Sequence, residues 1–316
     1  MANTACTEKS NGSFTITFLS IDMNKNIYIL LGVFAVLIVI AFFVMNRPGE
    51  KDISAANSQF LVDVDSIAVD KIEIKSPTSA VTLEKKGMEW SLSEPVVYRA
   101  NQSSVTSLIH QAKNLVVKEI VSSNPEKRSI FQVDSAGTLV RIFQNGQEHA
   151  AFIIGKQGQG YSETYVQKER SNDVAVVDGS LAVWFNKAVK DWRDKTILNI
   201  RKETITAIAF QYAGESFSLS LHDSVWMIGD SKALFSSVRS LLNSLSNLEA
   251  EDFVDSVLTP APKITSTISV ENVQIRFSEV KDGDKYFAQT SNSPQWYELQ
   301  GWHAKQLLKH KKELLQ

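Results

Sequence analysis

The residues that could catalyse a reaction or hold a metal ion are few and widely spaced in this sequence. The segment 155–160 (GKQGQG) is rich in glycine, but a phosphate-binding P-loop needs GxxxxGK, then Ser or Thr, then a helix. The patterns on both sides predict strands, so a hairpin loop is the favoured interpretation. No GxSxG serine motif is present, and no two histidines have HxH or HExxH spacing. We therefore expect no catalytic residue, no metal site, no cofactor and no enzymatic activity.

The densest charged phrase is DWRDK, at residues 191–195. One interpretation is a contact surface for a partner, formed by Asp191, Arg193, Asp194 and Lys195. The other is the end of a helix, where Trp192 packs inward and the charges form local ion pairs that each contribute about 0–1 kcal/mol. The sequence leaves both interpretations open.

Composition excludes several classes of protein. The chain has 316 residues, 43% of them hydrophobic and 22% charged, which is typical of globular domains and long enough for two of them. The net charge of −2 indicates no nucleic-acid partner, which would require a clustered basic face. The single cysteine, Cys6, precedes the large C-terminal portion, so that portion cannot form disulfides.

The run from Ile27 to Met45 contains 19 residues and no charge. At about 1.5 Å per residue, such a helix would span a hydrocarbon core of about 30 Å. We predict a single transmembrane helix here, longer than the core of a signal peptide and without a cleavage site after it. The residues expected to face the membrane are Ile27, Leu31, Phe34, Leu37, Ile40, Phe43 and Met45.

The predicted anchor divides the chain. Residues 1–26 form a short tail, and the true start is Met1 or Met23, since the sequence fits both. Residues 46–60 are polar and predict a stalk. Positive charges on the two sides of the anchor are nearly balanced and give no orientation, but long C-terminal domains translocate largely regardless of charge. We therefore expect a single-pass protein of the bacterial inner membrane with its C-terminal portion in the periplasm.

The C-terminal portion shows one pattern twice. Alternating segments at 69–75 and 205–210 predict equivalent strands, and each is followed 18 residues later by a tryptophan, from Ile72 to Trp90 and from Ile208 to Trp226. Each copy continues with a helix, further strands and a last helix; in the first copy, Asn101 is expected to cap one helix and Ser180 the other. We predict a first α+β repeat at 61–192, a linker at 193–204 and a second repeat at 205–316. The sheets should be mainly antiparallel.

These phrases together resemble a known family. The anchor, KIEI at 71–74, VTLEKKGMEWSLSEPV at 81–96 and DWRDKTIL at 191–198 are similar to the domain of unknown function 4340 family, over most of residues 60–316. The resemblance supplies no catalytic residues. It implies a membrane-anchored protein that works beside the permease, auxiliary and ATPase subunits of a Gld-type ABC transporter.

Taken together, the sequence predicts a non-catalytic periplasmic binding or accessory module, held to the lipid bilayer by one helix and acting as an auxiliary subunit of an ABC-type envelope transport complex. Two alternatives stay open. One is an envelope scaffold or sensor that binds lipid, glycan or a protein ligand. The other is an envelope hydrolase with an unrecognised carboxylate site.

Overall fold

The structure is a computed structural model that describes residues 25–45, 61–280 and 284–315. The helices are α1 (Lys25–Met45), α2 (Gln102–Lys113), α3 (Arg128–Phe131), α4 (Ala182–Phe185), α5 (Val189–Trp192), α6 (Phe235–Ser246), α7 (Gly301–Leu307) and α8 (Lys311–Leu315). The described residues from 61 onward belong to one compact unit, and α1 belongs to another.

The first sheet has nine antiparallel strands in the order β4-β3-β2-β1-β6-β7-β8-β9-β5. Its strands are β1 (Val69–Lys75), β2 (Ala80–Lys86), β3 (Glu89–Glu94), β4 (Tyr98–Arg99), β5 (Val117–Ser122), β6 (Thr138–Gln144), β7 (Gln147–Gln157), β8 (Glu163–Lys168) and β9 (Val174–Asp178).

The second sheet also has nine antiparallel strands, in the equivalent order β14-β13-β12-β11-β17-β18-β19-β20-β16. Its strands are β11 (Ala207–Tyr212), β12 (Ser216–His222), β13 (Val225–Ile228), β14 (Ser231–Lys232), β16 (Asp252–Val254), β17 (Ser266–Val270), β18 (Val273–Val280), β19 (Lys285–Thr290) and β20 (Trp296–Gln300). A short pair, β10 (Thr196–Asn199) and β15 (Asn247–Glu249), forms a third sheet. The protein is therefore α+β, with two large antiparallel sheets.

The alternation of apolar and polar residues along each strand decides which face of the sheet the helices cover. In β1, Ile72 and Ile74 point into the core while Lys71 and Glu73 stay half-buried on the other face. Helix α2 covers the inner face of the first sheet with Val105 and Leu108, both fully buried. Helix α6 covers the second sheet in the same way through its buried residues Val238, Leu241 and Leu245.

Local signals in the sequence explain two of the elements. The Asn101 side chain accepts a 3.0 Å hydrogen bond from the Ser104 N–H, so Asn101 caps α2 as predicted. Asn145 and Gly146 have φ values of 53° and 77°, the left-handed conformation that a tight hairpin between β6 and β7 requires.

Other predictions of secondary structure were wrong. The helix expected between Ser180 and Trp192 is two short helices, α4 and α5, and no side chain caps α4. The last helix is likewise divided into α7 and α8. The apolar spacing of Val238, Leu241 and Leu245 continues to Leu248 and predicts a helix that includes it, but Leu248 lies in β15.

The predicted anchor coincides with α1, which runs from Lys25 to Met45. The described side chains at Phe34, Leu37 and Ile40 are exposed, whereas those of Ile27, Leu31, Phe43 and Met45 lie outside what the structure describes. Within the described residues, no helix has the length and apolar character that crossing a membrane requires. The predicted tail before Lys25 and the predicted stalk at 46–60 lie outside the described residues.

Candidate functional site

The charged phrase at 191–195 lies where the two large sheets meet. Helix α5 ends at Trp192, which is fully buried and accepts a 2.7 Å hydrogen bond from the Asn101 N–H through its carbonyl oxygen. The next residue, Arg193, bridges to Ala100, and the Asp194 N–H donates to the Arg99 carbonyl at 2.9 Å. The chain therefore continues the edge of the first sheet beside β4, which fixes the direction of the Arg193 side chain.

Arg193 is the most completely buried charge among the described residues, with 2% of its surface exposed. Its guanidinium donates to both carboxylate oxygens of Asp255, at 2.8 and 2.7 Å, and to Gln295 Oε1 at 3.3 Å. It also packs against two rings, 4.3 Å from the centroid of Tyr98 and 3.6 Å from that of Phe253. Such contacts favour a buried cation, because each ring presents its negative face.

Tyr98 and Tyr297 complete this set. Their hydroxyl oxygens are 3.0 Å apart, one from an edge strand of the first sheet and one from β20 of the second. Burial, followed by the hydrogen bond to Tyr297, raises the pKa of Tyr98 far above its ordinary value of 10.0, so the phenol stays neutral. We call Tyr98, Arg193, Phe253, Asp255 and Tyr297 the Arg193 cluster.

Ion pairs surround the Arg193 cluster. Lys190 donates to Asp252 at 2.6 Å, which joins α5 to the edge strand β16 of the second sheet. This bond raises the pKa of Lys190. The pKa of Asp252 is lowered; burial alone would raise it, but the hydrogen bonds from Lys190 and from the Phe253 N–H outweigh burial. Both groups are therefore charged at neutral pH.

The other members of the charged phrase form local pairs. Asp194 accepts from Arg99 at 3.0 Å, and Lys195 donates to Asp191 at 2.8 Å. Arg193 is enclosed by the protein's own side chains, whereas Asp191 keeps 43% of its side chain exposed. A partner contact at Asp191, Arg193, Asp194 and Lys195 stays a prediction, and Arg193 could reach a partner only if the cluster opened.

The geometry of the Arg193 cluster suits clamping of one sheet to the other. The Asp255 carboxylate accepts two hydrogen bonds from the Arg193 guanidinium, and the neutral Tyr98 hydroxyl lies against that of Tyr297. Elsewhere, His303 and His310 each contact a single glutamate, Glu251 and Glu215, at 2.8 Å. Within residues 25–45, 61–280 and 284–315, no three His, Cys, Asp or Glu residues are placed to hold a metal ion.

The glycine-rich loop is a hairpin connection between β7 and β8. The Glu163 carboxylate accepts from the Gly160 N–H at 2.8 Å and from the Lys118 ammonium at 2.7 Å. These two contacts, that of Lys118 first, lower the pKa of Glu163. The loop therefore directs a backbone N–H at an acidic group of its own chain. At Gly155, an added Cβ would collide with the Phe131 carbonyl oxygen.

Sequence reasoning connected Arg193 with none of the other four members of the Arg193 cluster. Asp255 lies 62 residues after Arg193, and Tyr297 lies 199 residues after Tyr98. No spacing rule relates residues so far apart. The one available signal was an arginine directly after a buried aromatic residue, at the boundary between two repeats.

Comparison with known proteins gives one match. Residues 90–269, more than half of the chain, match the model of a family described as domain of unknown function (DUF4340). The chain belongs to this family. The DUF4340 match includes Tyr98, Arg193 and Asp255 and ends before Tyr297. No curated protein and no solved structure matches the chain.

Proposed function

We propose that this protein is a non-catalytic accessory module of the bacterial envelope, anchored in the inner membrane by α1 and working with an ABC-type transport complex through its periplasmic portion. The single observation that carries the proposal is α1 itself. Every side chain of α1 that the structure describes is exposed, including Leu30 at 71% and Phe42 at 63%. An apolar helix whose described side chains are all exposed requires lipid or other apolar helices around it.

The two-sheet unit supports a binding role over a catalytic one. Its most buried charge holds the sheets together, and two of its histidines, His303 and His310, each pair with a single carboxylate. A rigid unit of this kind presents fixed surfaces to a partner without itself changing shape. Membership of the DUF4340 family leaves the partner open, because a domain family does not determine a function.

The test is a pull-down of the tagged full-length protein from native membranes in a mild detergent. Permease, auxiliary and ATPase subunits of an ABC transporter should co-purify in a constant ratio. A matched control carries Phe34→Asp and Leu37→Asp in α1, which should release the protein from washed membranes and abolish the co-purification. Recovery of the wild-type protein alone, or unchanged membrane retention of the control, would overturn the proposal.

A further inference from the structure

A groove of about 620 Å³ opens between the hairpin of β2 and β3 and the helix α2 that covers the first sheet. Pockets of this size commonly hold small molecules. We call it the Lys85 groove. The residues that define it are Lys85, Met88 and Trp90 of the hairpin and Gln102, Ile109 and His110 of α2. The groove therefore has one wall from a sheet and one from a helix.

The apolar part of the groove comes from two core residues and one residue of the hairpin turn. Trp90 and Ile109 are each 6% exposed and line the groove, so the surface that the core leaves uncovered contributes to its wall. Met88, in the turn, is 94% exposed. The Gln102 side chain is fixed against the hairpin, because it accepts the Trp90 N–H at 2.8 Å and donates to the carbonyls of Trp90 and Ala100 at 2.8 and 2.7 Å. A ligand would therefore meet a wall that is formed before it binds.

Lys85 places a cation on the inner face of the first sheet. It lies directly opposite Trp90 in the pairing of β2 with β3, and alternation along β2 puts it on the same face as the buried Leu83. Lys85 is half-buried, and it forms no ion pair and no side-chain hydrogen bond with another described residue. Glu89, which also lines the groove, is already paired with Arg99 at 3.0 Å. The unbalanced charge at the groove is therefore that of Lys85.

The second sheet shows that the fold does not require a lysine at this position. Trp226 is the counterpart of Trp90, because the carbonyl oxygen of each accepts a hydrogen bond from the residue two before the helix that follows. The residue directly opposite Trp226 is Leu221, which therefore holds the register position of Lys85. An apolar residue fits this position in the second sheet. The half-buried cation is thus a property of the groove in the first sheet rather than of the architecture that the two sheets share.

We propose that the Lys85 groove binds a small organic anion with an apolar body, of the aryl- or alkyl-carboxylate class. The carboxylate accepts hydrogen bonds from the Lys85 ammonium, and the apolar body lies against Trp90, Ile109 and Met88. Charge complementarity selects the anion, because a carboxylate supplies the counter-charge that Lys85 lacks. The apolar wall selects the body. This inference gives the two-sheet unit a ligand and depends neither on the membrane anchor nor on a transport partner.

The test follows the methionine methyl groups of the full-length protein by NMR during a titration with phenylpropionate, in nanodiscs or, if the protein needs no lipid, in buffer alone. Met88 lines the groove, whereas Met227 lies in β13 of the second sheet and is the matched control. The Met88 signal, assigned by its loss in Met88→Leu, should shift to saturation while that of Met227 stays. Phenylpropionamide has the same body without the charge, and it should bind about tenfold or more weakly.

The role of Lys85 is tested in the same titration. Lys85→Leu introduces the residue that the second sheet has at this position, and it should weaken phenylpropionate binding about tenfold or more, to the level of the amide. Lys86→Leu should leave the affinity unchanged, because Lys86 is exposed on the opposite face of β2.

Three results would overturn the inference. The first is a Met88 signal that does not move, or that moves no more than the signal of Met227. The second is equal affinity for phenylpropionate and its amide; this comparison uses the wild-type protein, so it holds even if a variant fails to fold. The third is unchanged affinity in Lys85→Leu, since the lysine would then only keep this end of the sheet hydrated.

Discussion

Replacing Asp255 by Asn should destabilise the protein more than replacing its partner Arg193 by Met. The two side chains of this ion pair differ in exposure, with 2% for Arg193 and 60% for Asp255. Asp255→Asn leaves a charged guanidinium buried against two rings without a counter-charge, with neutral acceptors alone, namely the new amide oxygen and Gln295 Oε1. Arg193→Met keeps an aliphatic chain against the rings and leaves a carboxylate that water can reach.

The magnitudes follow from this asymmetry. Loss of one partner of a fully buried pair costs about 3–5 kcal/mol, and the exposure of Asp255 reduces this to about 2–3 kcal/mol for Asp255→Asn. Arg193→Met loses the two ring contacts and the hydrogen bonds to Asp255, whose carboxylate water can reach. This loss should cost about 1–2 kcal/mol of unfolding free energy. The matched control is Arg99→Met, because Arg99 pairs with two carboxylates but keeps 55% of its side chain exposed. It should cost about 0–1 kcal/mol.

The assay is urea unfolding of the full-length protein in detergent, followed by tryptophan fluorescence. Trp192, next to Arg193 in the chain and fully buried, provides a signal close to the junction. The free energies of unfolding should rank wild type, Arg99→Met, Arg193→Met and Asp255→Asn from most to least stable. If Asp255→Asn costs no more than Arg99→Met, or less than Arg193→Met, the buried guanidinium does not depend on Asp255 and the reasoning is refuted.

Three further predictions concern single features of the first sheet. Asn101→Ala should cost about 1 kcal/mol in thermal unfolding through loss of the α2 cap, whereas Ser180→Ala, at a predicted cap that forms no capping bond, should change stability by less than about 0.5 kcal/mol. Gly155→Ala should cost about 1–3 kcal/mol because its Cβ meets backbone, whereas Gly214→Ala has open space and should be nearly neutral. NMR of the Glu163 carboxyl carbon should give a pKa below the ordinary value of 4.5. Because folding lowers this pKa, the stabilising contribution of Glu163 is present above pH 4.5 and is lost as the pH falls through the lowered pKa.

Much of the fold could be predicted from the sequence because its determinants are local. The alternation of β1, the hairpin residues between β6 and β7, and the apolar spacing of α2 each act within a few residues. The interruption between α4 and α5 could not be predicted from periodicity. The chain there leaves the helical path so that Trp192 can meet the edge strand β4, and this tertiary contact overrides the local pattern. Edge strand β5 was missed since its pairing with β9 contains bulges that disturb its alternation.

The candidate site was less predictable than the fold. The charged phrase indicated a place, and Trp192 packs inward as one of the two interpretations required. Nothing in the phrase distinguished Arg193 from the charged residues beside it. What distinguishes Arg193 is the arrival of Phe253, Asp255 and Tyr297 from the second sheet, which only the folded chain brings together.

The residues at the contact between the two sheets also explain why a third sheet could not be added by the same contact. In equivalent registers, Ile120 and Ala175 of the first sheet occupy the positions of Phe253 and Tyr297. At the other end, Ser231 occupies the position of Tyr98. The two sheets therefore contribute different surfaces, a heterologous contact that would build a ring or an open row of sheets if both surfaces were present on both copies. Because each copy keeps only one surface of the pair, the contact is made once.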